Sequence, residues 1–180
     1  MGLFDALSIA LYAQIPVVIG GVLHMWSVTH DQLPAWKIPI NQRLFGANKT
    51  WRGLLLMPAF TALGALCLLP MELYLGEGGP FGLALPLIGA WIGLAYVLAE
   101  LPNSWLKRRL GAAPGALPSR HTGWFVLLDQ LDSGIGIALA YWLYPGLDWR
   151  VCVLFALSFP LTALLVKRLL FIAKLKRSAI

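Results

Sequence analysis

The sequence predicts an all-α polytopic membrane protein with five transmembrane helices, forming a single domain over residues 1–180. Hydrophobic residues make up 59% of the chain and charged residues only 12%, whereas soluble domains carry about 25% charged residues. The apolar residues form runs that approach the length needed to cross a bilayer, about 17 to 25 residues. No strand-like alternation is long enough to predict a barrel.

Five apolar runs match the thickness of a membrane, and they cover residues 7–28, 53–71, 81–99, 124–145 and 151–166. The first contains Pro16, which membrane helices tolerate because neighbouring groups satisfy the freed backbone. The amino terminus lacks a basic n-region and a cleavage-site pattern, which predicts a retained first helix. The third run ends at Glu100, and Pro102 predicts a break or kink just after it. The fifth run is short and contains Pro160.

Basic residues predict the orientation. All but one of the 14 Lys and Arg residues lie in the loops at about 29–52 and 101–123 or in the tail at about 167–180. With five spans these regions share one side, and the opposite connections contain only Arg150. The positive-inside rule therefore predicts an amino terminus outside and a carboxyl terminus in the cytoplasm. The net charge of +6 then indicates topology and contacts with lipid headgroups or phosphates, not nucleic acid.

The fourth run carries two acids, Asp129 and Asp132. An ionised carboxylate at the centre of a bilayer costs roughly 2.5 to 3.5 kcal/mol on insertion scales, so two in one span require a reason. Their spacing puts both on one helical face, where they repel each other unless a cation or proton lies between them. The pattern predicts a divalent metal site, and oxygen ligands favour Mg²⁺ over Zn²⁺. The alternative is a pair neutralised by Lys or Arg from another helix.

The first basic loop contains a cluster of polar side chains after Gly46: Asn48, Lys49, Thr50 and Arg52. An amide, an ammonium, a hydroxyl and a guanidinium together suit phosphate. The spacing is not that of a Walker A motif, and an ordinary positive-inside loop would carry similar charges.

The second basic loop carries Ser104, Lys107 and Arg108 at helical spacing on one face. A Gly-, Ala- and Pro-rich link follows, which could cover a site. Arg120 and His121 then precede the fourth span. His121 has two open interpretations, a phosphate-binding or proton-shuttling residue and a structural histidine. Basic loops beside intramembrane acids suit chemistry that joins a Mg²⁺-bound polyphosphate to a lipid headgroup.

Three stretches resemble motifs of the CTP-dependent phosphatidate cytidylyltransferases, and among these the short CDP-archaeol synthases. The motifs read GANKTWRG at 46–53, NSWLKRRLG at 103–111 and DQLDS at 129–133, and they occur in the family's order. The chain departs from the family at Ala99-Glu100, where Gly-Asp is common, and at Ser133, where the archaeal enzymes carry an aromatic residue.

The resemblance implies transfer of CMP from CTP to a phosphatidic-acid-like or ether-lipid phosphate, with release of pyrophosphate. It implies Asp129, Asp132 and Lys107 as catalytic residues, and Mg²⁺ held by the two aspartates with Glu100; family precedent allows a second cation. The implied nucleotide- and phosphate-binding residues are Asn48, Lys49, Thr50, Arg52, Asn103, Ser104, Lys107, Arg108, Arg120 and His121. The expected setting is the cell (inner) membrane, multi-pass, with the site facing the cytoplasm, and the family precedent favours a homodimer.

Other function classes also fit part of the pattern. A small ion or lipid transporter would account for the intramembrane acids, but not for the polar loops on the same side. A non-catalytic membrane partner would pair the carboxylates structurally. A CDP-alcohol phosphotransferase would need a longer acidic motif, which the chain lacks.

Overall fold

A computed structural model of the chain describes residues 1–114, 116 and 122–172. Within this part the regular structure is helical, apart from an isolated antiparallel bridge between Pro39 and Thr50. The helices are α1 Leu3–Tyr12, α2 Ile15–Thr29, α3 Gln42–Phe45, α4 Trp51–Leu66, α5 Leu69–Leu75, α6 Leu85–Arg109, α7 Thr122–Leu143 and α8 Trp149–Ile172, with 3-10 turns at Pro34–Trp36 and Gly76–Gly78. The all-α prediction is confirmed for the described residues.

Three segments of the described chain are long and apolar enough to cross a membrane: Leu3–Thr29, which joins α1 and α2, Leu85–Arg109 and Trp149–Ile172. A fourth is added if α4 and α5, which are bent by 47° relative to each other, count as one span. Helix α7 is not among them, since its two aspartates lower its hydropathy. The count of five spans and the orientation therefore remain predictions.

Two of the predicted spans are interrupted. The first breaks between α1 and α2, where Pro16 lies in the first turn of α2. The Tyr141 hydroxyl on α7 donates to the Ala13 carbonyl at 2.7 Å and so satisfies backbone freed by the break. The second bends between Leu66 and Leu69, next to Pro70 in the first turn of α5.

The predicted break at Pro102 is wrong. Helix α6 runs through this proline to Arg109, well past the predicted end of the span at residue 99. Pro102 lacks an N–H, so a helix that continues through it gives up one backbone hydrogen bond, and the helix tolerates that loss here. As a result Glu100, Asn103 and Lys107 share one face of a single helix.

The helices pack as a closed ring. Helix α4 lies between α2 and α6, α6 contacts α7, α7 contacts α8, and α8 contacts α1. Glycine allows the close approach of α4 and α6, since a Cβ at Gly93 would lie 2.7 Å from Pro58 Cα. Leucines such as Leu161, which is 71% exposed, point outward as expected for a lipid-facing surface.

The loops that connect the helices lie at the two ends of the helices in this ring, and the end with the two basic loops is here called the basic end. At the basic end, Lys49 of the first loop contacts Glu100 near the carboxyl end of α6. At the opposite end, Arg150 donates to the Met1 carbonyl at 3.0 Å, and Glu72 accepts a bond from Tyr12 at 2.9 Å. The candidate residues of both basic loops therefore meet at one end, as far as the structure describes them.

Candidate active site at the basic end

The first loop is folded back on itself, which sets the position of its polar motif. The Ile40 N–H donates to the Lys49 carbonyl and the Trp51 N–H donates to the Ile38 carbonyl, each at 2.9 Å. Thr50 is the N-cap of α4, and its hydroxyl accepts a bond from the Gly53 N–H at 3.4 Å. The loop thus holds Asn48, Lys49 and Thr50 against α6.

These residues line a pocket of about 80 Å³ between α2, α4 and α6, here called the loop pocket. Its wall combines polar and apolar side chains: His24, Ile40, Asn48, Lys49, Thr50, Gly53, Met57, Tyr96, Val97 and Glu100. The Lys49 ammonium contacts the Glu100 carboxylate inside it. The loop pocket therefore holds a paired acid and base together with an imidazole, an amide and a hydroxyl.

A second group of polar residues lies where α6 meets α7, here called the carboxylate cluster: Asn103, Lys107, Asp129, Asp132 and Ser133. The Asn103 amide Nδ2 donates to Asp129 and, at 2.8 Å, to Asp132 Oδ2. The Lys107 ammonium contacts Asp129. Asp132 Oδ1 accepts from the Ser133 N–H at 2.6 Å and from its hydroxyl at 3.0 Å. One amide thus holds both carboxylates on the same side of α6.

The two groups adjoin each other. The Tyr96 hydroxyl interacts with Glu100 on one side and with Ser133 on the other. Asp132 and Glu100 are close enough for their charges to interact. Because Tyr96 precedes Glu100 by one helical turn, both side chains lie on the same face of α6. The loop pocket and the carboxylate cluster therefore form one continuous polar region.

Arg108 lies beside this region with unused donors. Its Nε and Nη1 atoms are buried and have no hydrogen-bond partner among the described residues. The guanidinium packs against Gly46, where a Cβ would come 3.2 Å from Nη1. Gly46 also has a φ of +89°, which favours glycine. Buried guanidinium nitrogens without acceptors are suited to an anion.

Arg52 does not join the predicted phosphate-binding residues. Its side chain is buried, and Nη1 donates to Asp31 Oδ1 and to the Gln32 carbonyl, each at 3.0 Å. Lys37 and then Arg52 hold the pKa of the Asp31 carboxyl below its usual range through hydrogen bonds and charge. Arg52 therefore anchors the turn at residues 31–32, where Asp31 has a φ of +48°.

The other predicted residues differ in how far the structure describes them. Ser104 lies on α6 and is half-buried, one position beyond Asn103. Arg120 and His121 lie outside the described residues. Their predicted roles stay predictions.

Two curated enzymes are similar to this chain in sequence. A phosphatidate cytidylyltransferase of Brucella abortus biovar 1 (strain 9-941) is 28% identical over 116 residues, which are 64% of this chain and 40% of that protein. A CDP-archaeol synthase of Staphylothermus marinus is 31% identical over 109 residues, which are 58% of this chain and 51% of that protein. The predicted resemblance is confirmed. The chain spans about half the length of these relatives or less, and no family model and no solved structure matches it.

The predicted Mg²⁺ site depends on the donor atoms that the helices bring together. Among the described residues, no group of three or more His, Cys, Asp or Glu side chains converges as a metal site, and Glu100 is paired with Lys49 instead. Asp129 and Asp132 do converge on Asn103, which turns its Nδ2 towards them and leaves its Oδ1 buried without a partner in the described residues. The two carboxylates offer only oxygen donors, which fits Mg²⁺.

The contact of Lys107 with Asp129 also matches the alternative interpretation, a carboxylate neutralised by a cation from another helix. Asp132, by contrast, has no ion-pair partner in the described part of the chain. One acid of the two is therefore held by neutral donors alone, which a purely structural ion pair leaves unexplained.

Sequence reasoning did not select three residues that the structure brings into the region: His24, Tyr96 and Ser133. His24 offered a signal, because an ionisable residue within an apolar run marks a candidate functional site. Tyr96 offered none, and Ser133 offered only its place at the end of the DQLDS stretch. Their placement depends on how α6 and α7 pack.

Proposed function

We propose that the chain is a Mg²⁺-dependent membrane cytidylyltransferase, which transfers CMP from CTP to a phosphatidic- or archaetidic-acid-like lipid. The observation that carries the proposal is the carboxylate cluster, in which Asp129 and Asp132 converge on Asn103 beside Lys107. Its residues belong to motifs that resemble those of the cytidylyltransferases. The curated relatives support the same reaction class.

The reaction requires little covalent chemistry from the protein. An oxygen of the lipid phosphate attacks the α-phosphorus of CTP, the bond to the β-phosphate oxygen breaks, and pyrophosphate leaves. A lipid phosphate is already anionic near neutral pH, so positioning and charge stabilisation are the main contributions of the site.

Each residue has a defined task in this proposal. Asp129 and Asp132 would hold Mg²⁺, which when bound supplies neutralisation of the triphosphate charge, and the Asn103 amide nitrogen would orient their carboxylates. Lys107 would exchange its contact with Asp129 for a phosphate oxygen. Arg108, with two buried nitrogens unpaired among the described residues, would bind the phosphates that leave as pyrophosphate.

The proposed membrane arrangement has five spans, with the basic end in the cytoplasm. Helix α7 packs between α6 and α8, which are both long and apolar enough to cross, so it is proposed to cross with them. Its aspartates then lie near the cytoplasmic surface, within reach of a soluble nucleotide. A homodimer in the cell (inner) membrane completes the proposal.

The direct test is an assay of purified protein with labelled CTP, Mg²⁺ and a panel of phosphatidic and archaetidic acids. We expect equal amounts of CDP-lipid and pyrophosphate from at least one lipid, and loss of both products after chelation of Mg²⁺. Absence of nucleotide turnover with every lipid would contradict the proposal. A transporter would not release pyrophosphate from CTP.

A further inference from the structure

The loop pocket has the size of a small headgroup. Sites for drug-sized molecules occupy about 300 to 1,000 Å³, whereas a single water needs only about 10 to 15 Å³ of the same kind of space. At about 80 Å³, the loop pocket has room for a tetrahedral group such as a phosphate.

The chemistry of the pocket favours an anion. It is lined by Gly53 in the first turn of α4, and a helix amino terminus carries a partial positive charge. Lys49 adds an ammonium, which contacts the Glu100 carboxylate in the same pocket. His24 faces the same turn, since a Cβ at Gly53 would lie 3.6 Å from its Nε2. None of the hydrogen bonds within the described residues uses the His24 ring.

The position of the pocket favours a lipid as the source of that anion. Trp26 and Trp51 lie close to His24 and Thr50 in sequence, and each is 44% exposed. Exposed tryptophans are enriched at the membrane–water interface, which is the depth of lipid headgroups. Tyr96 connects the pocket to the carboxylate cluster, so a group bound here would lie next to the reacting triphosphate.

We propose that the loop pocket holds the phosphate monoester of the acceptor lipid, and that His24 is one of its hydrogen-bond donors; this inference rests on the proposed function. Lys49 then serves the acceptor phosphate rather than the triphosphate. The acid in the pocket has a role as well. A phosphate monoester that still carries its second proton, which it loses near pH 6, can donate that hydroxyl to Glu100.

The test compares His24→Leu and His24→Gln with the matched control His30→Leu. His30 is the C-cap residue of α2, directly after Thr29. It is exposed and lies outside the pocket. Initial rates are measured in mixed micelles against dioctanoyl phosphatidic acid and separately against CTP. Binding without CTP is measured by calorimetry with dioctanoyl phosphatidic acid, dioctanoylglycerol and inorganic phosphate.

We expect His24→Leu to raise the KM for dioctanoyl phosphatidic acid by about ten- to a hundredfold, the value of a hydrogen bond to a charged group. The KM for CTP should not change. His24→Gln keeps a donor and should show a smaller increase, and it carries the test if His24→Leu does not fold. His30→Leu should match the wild type. Binding should require the phosphate and weaken in the His24 variants.

Three results would overturn the assignment: a rise in the KM for CTP instead of the lipid, binding of dioctanoylglycerol as tight as that of the phosphatidic acid, or inorganic phosphate competing as well as the lipid. The last would identify a free-phosphate site. Failure of the proposed function looks different. In that case no lipid yields a CDP-lipid, while phosphatidic acid still binds in a manner that depends on His24.

Discussion

Acids lie at both ends of the helix ring, buried at one and half-buried at the other, and their surroundings differ. At the opposite end, Glu72 is 2% exposed and accepts bonds from the Tyr12 hydroxyl at 2.9 Å and from the N–H groups of Phe81 and Gly82 at 3.1 and 2.7 Å. At the basic end, Asp129 and Asp132 share one amide, and the cation beside them contacts only Asp129.

The two ends differ in how completely the protein satisfies the hydrogen bonds of their polar groups. Glu72 has several donors of its own, and they come from two parts of the chain, α1 and residues 81–82, which it holds against α5. The basic end instead has polar atoms that make no hydrogen bond: Asn103 Oδ1 and two Arg108 nitrogens are buried without partners in the described residues. Since buried polar groups are normally satisfied, a complete shell indicates a structural acid and an incomplete one indicates room for a ligand.

The largest expected effect comes from Asp132→Asn. Asp132 has no ion-pair partner in the described chain, so the change removes a charge without leaving a cation unpaired. We expect turnover to fall by about a hundredfold or more, because metal binding supplies several kcal/mol of stabilisation. Thermal stability in detergent should be unchanged or slightly higher. A stable and fully active variant would contradict the metal assignment.

Asp129→Asn is the companion variant. It leaves the Lys107 ammonium without its carboxylate, and an uncompensated charge costs about 3 to 5 kcal/mol where it is well buried. We therefore expect it to lose stability as well as activity. Equal stability losses in both aspartate variants would favour two structural ion pairs over a metal site.

A smaller loss is expected for Lys107→Ala, with Arg109→Ala as its control. Lys107 lies in the carboxylate cluster, whereas Arg109 stacks on Trp105, with its guanidinium carbon 5.1 Å from the ring centre. A charge-assisted phosphate contact is worth about 1.5 to 3 kcal/mol, so kcat/KM should fall roughly ten- to a hundredfold for Lys107→Ala. Similar kinetics in both variants would remove Lys107 from the site.

At the opposite end, we expect a substitution to lower stability and to leave catalysis unchanged. Glu72→Gln replaces one of two acceptor oxygens by an amide nitrogen, which cannot accept a hydrogen bond, so we expect a loss of about 1 to 3 kcal/mol in stability. Catalysis per folded molecule should stay at the wild-type level. The control is Glu77→Gln, an exposed acid in the adjacent 3-10 turn, which should leave the unfolding temperature unchanged. A Glu72→Gln variant that is stable but inactive would contradict the structural role of Glu72.

The least disruptive test labels the two ends from outside the cell. In a background without Cys67 and Cys152, single cysteines are placed at Gly78 and at Ala112, in the connections of opposite ends. The positive-inside rule predicts reaction of an impermeant thiol reagent with the Gly78→Cys protein only. Reaction at Ala112→Cys alone would place the basic end outside, away from cytoplasmic CTP.

The candidate residues were recognisable from sequence to different degrees. Asp129 and Asp132 were detected because charge inside an apolar run is costly, and Lys107 because it lies in a stretch that resembles a motif of the cytidylyltransferases. Arg52 looked like its neighbour Lys49, yet it is buried against Asp31 at the basic end. Residue type and spacing indicate which groups can bind phosphate, but not which of them the loop uses for its own structure.

By itself, the sequence determined the helical class, the apolar runs and the carboxylate pair, because hydropathy and helical periodicity act over short distances along the chain. Only the tertiary structure decided that α6 continues through Pro102, that Asn103 joins both aspartates, and that His24 faces the first turn of α4. These features depend on how closely α4, α6 and α7 approach each other. That distance is set by packing between residues far apart in sequence, which no local pattern encodes.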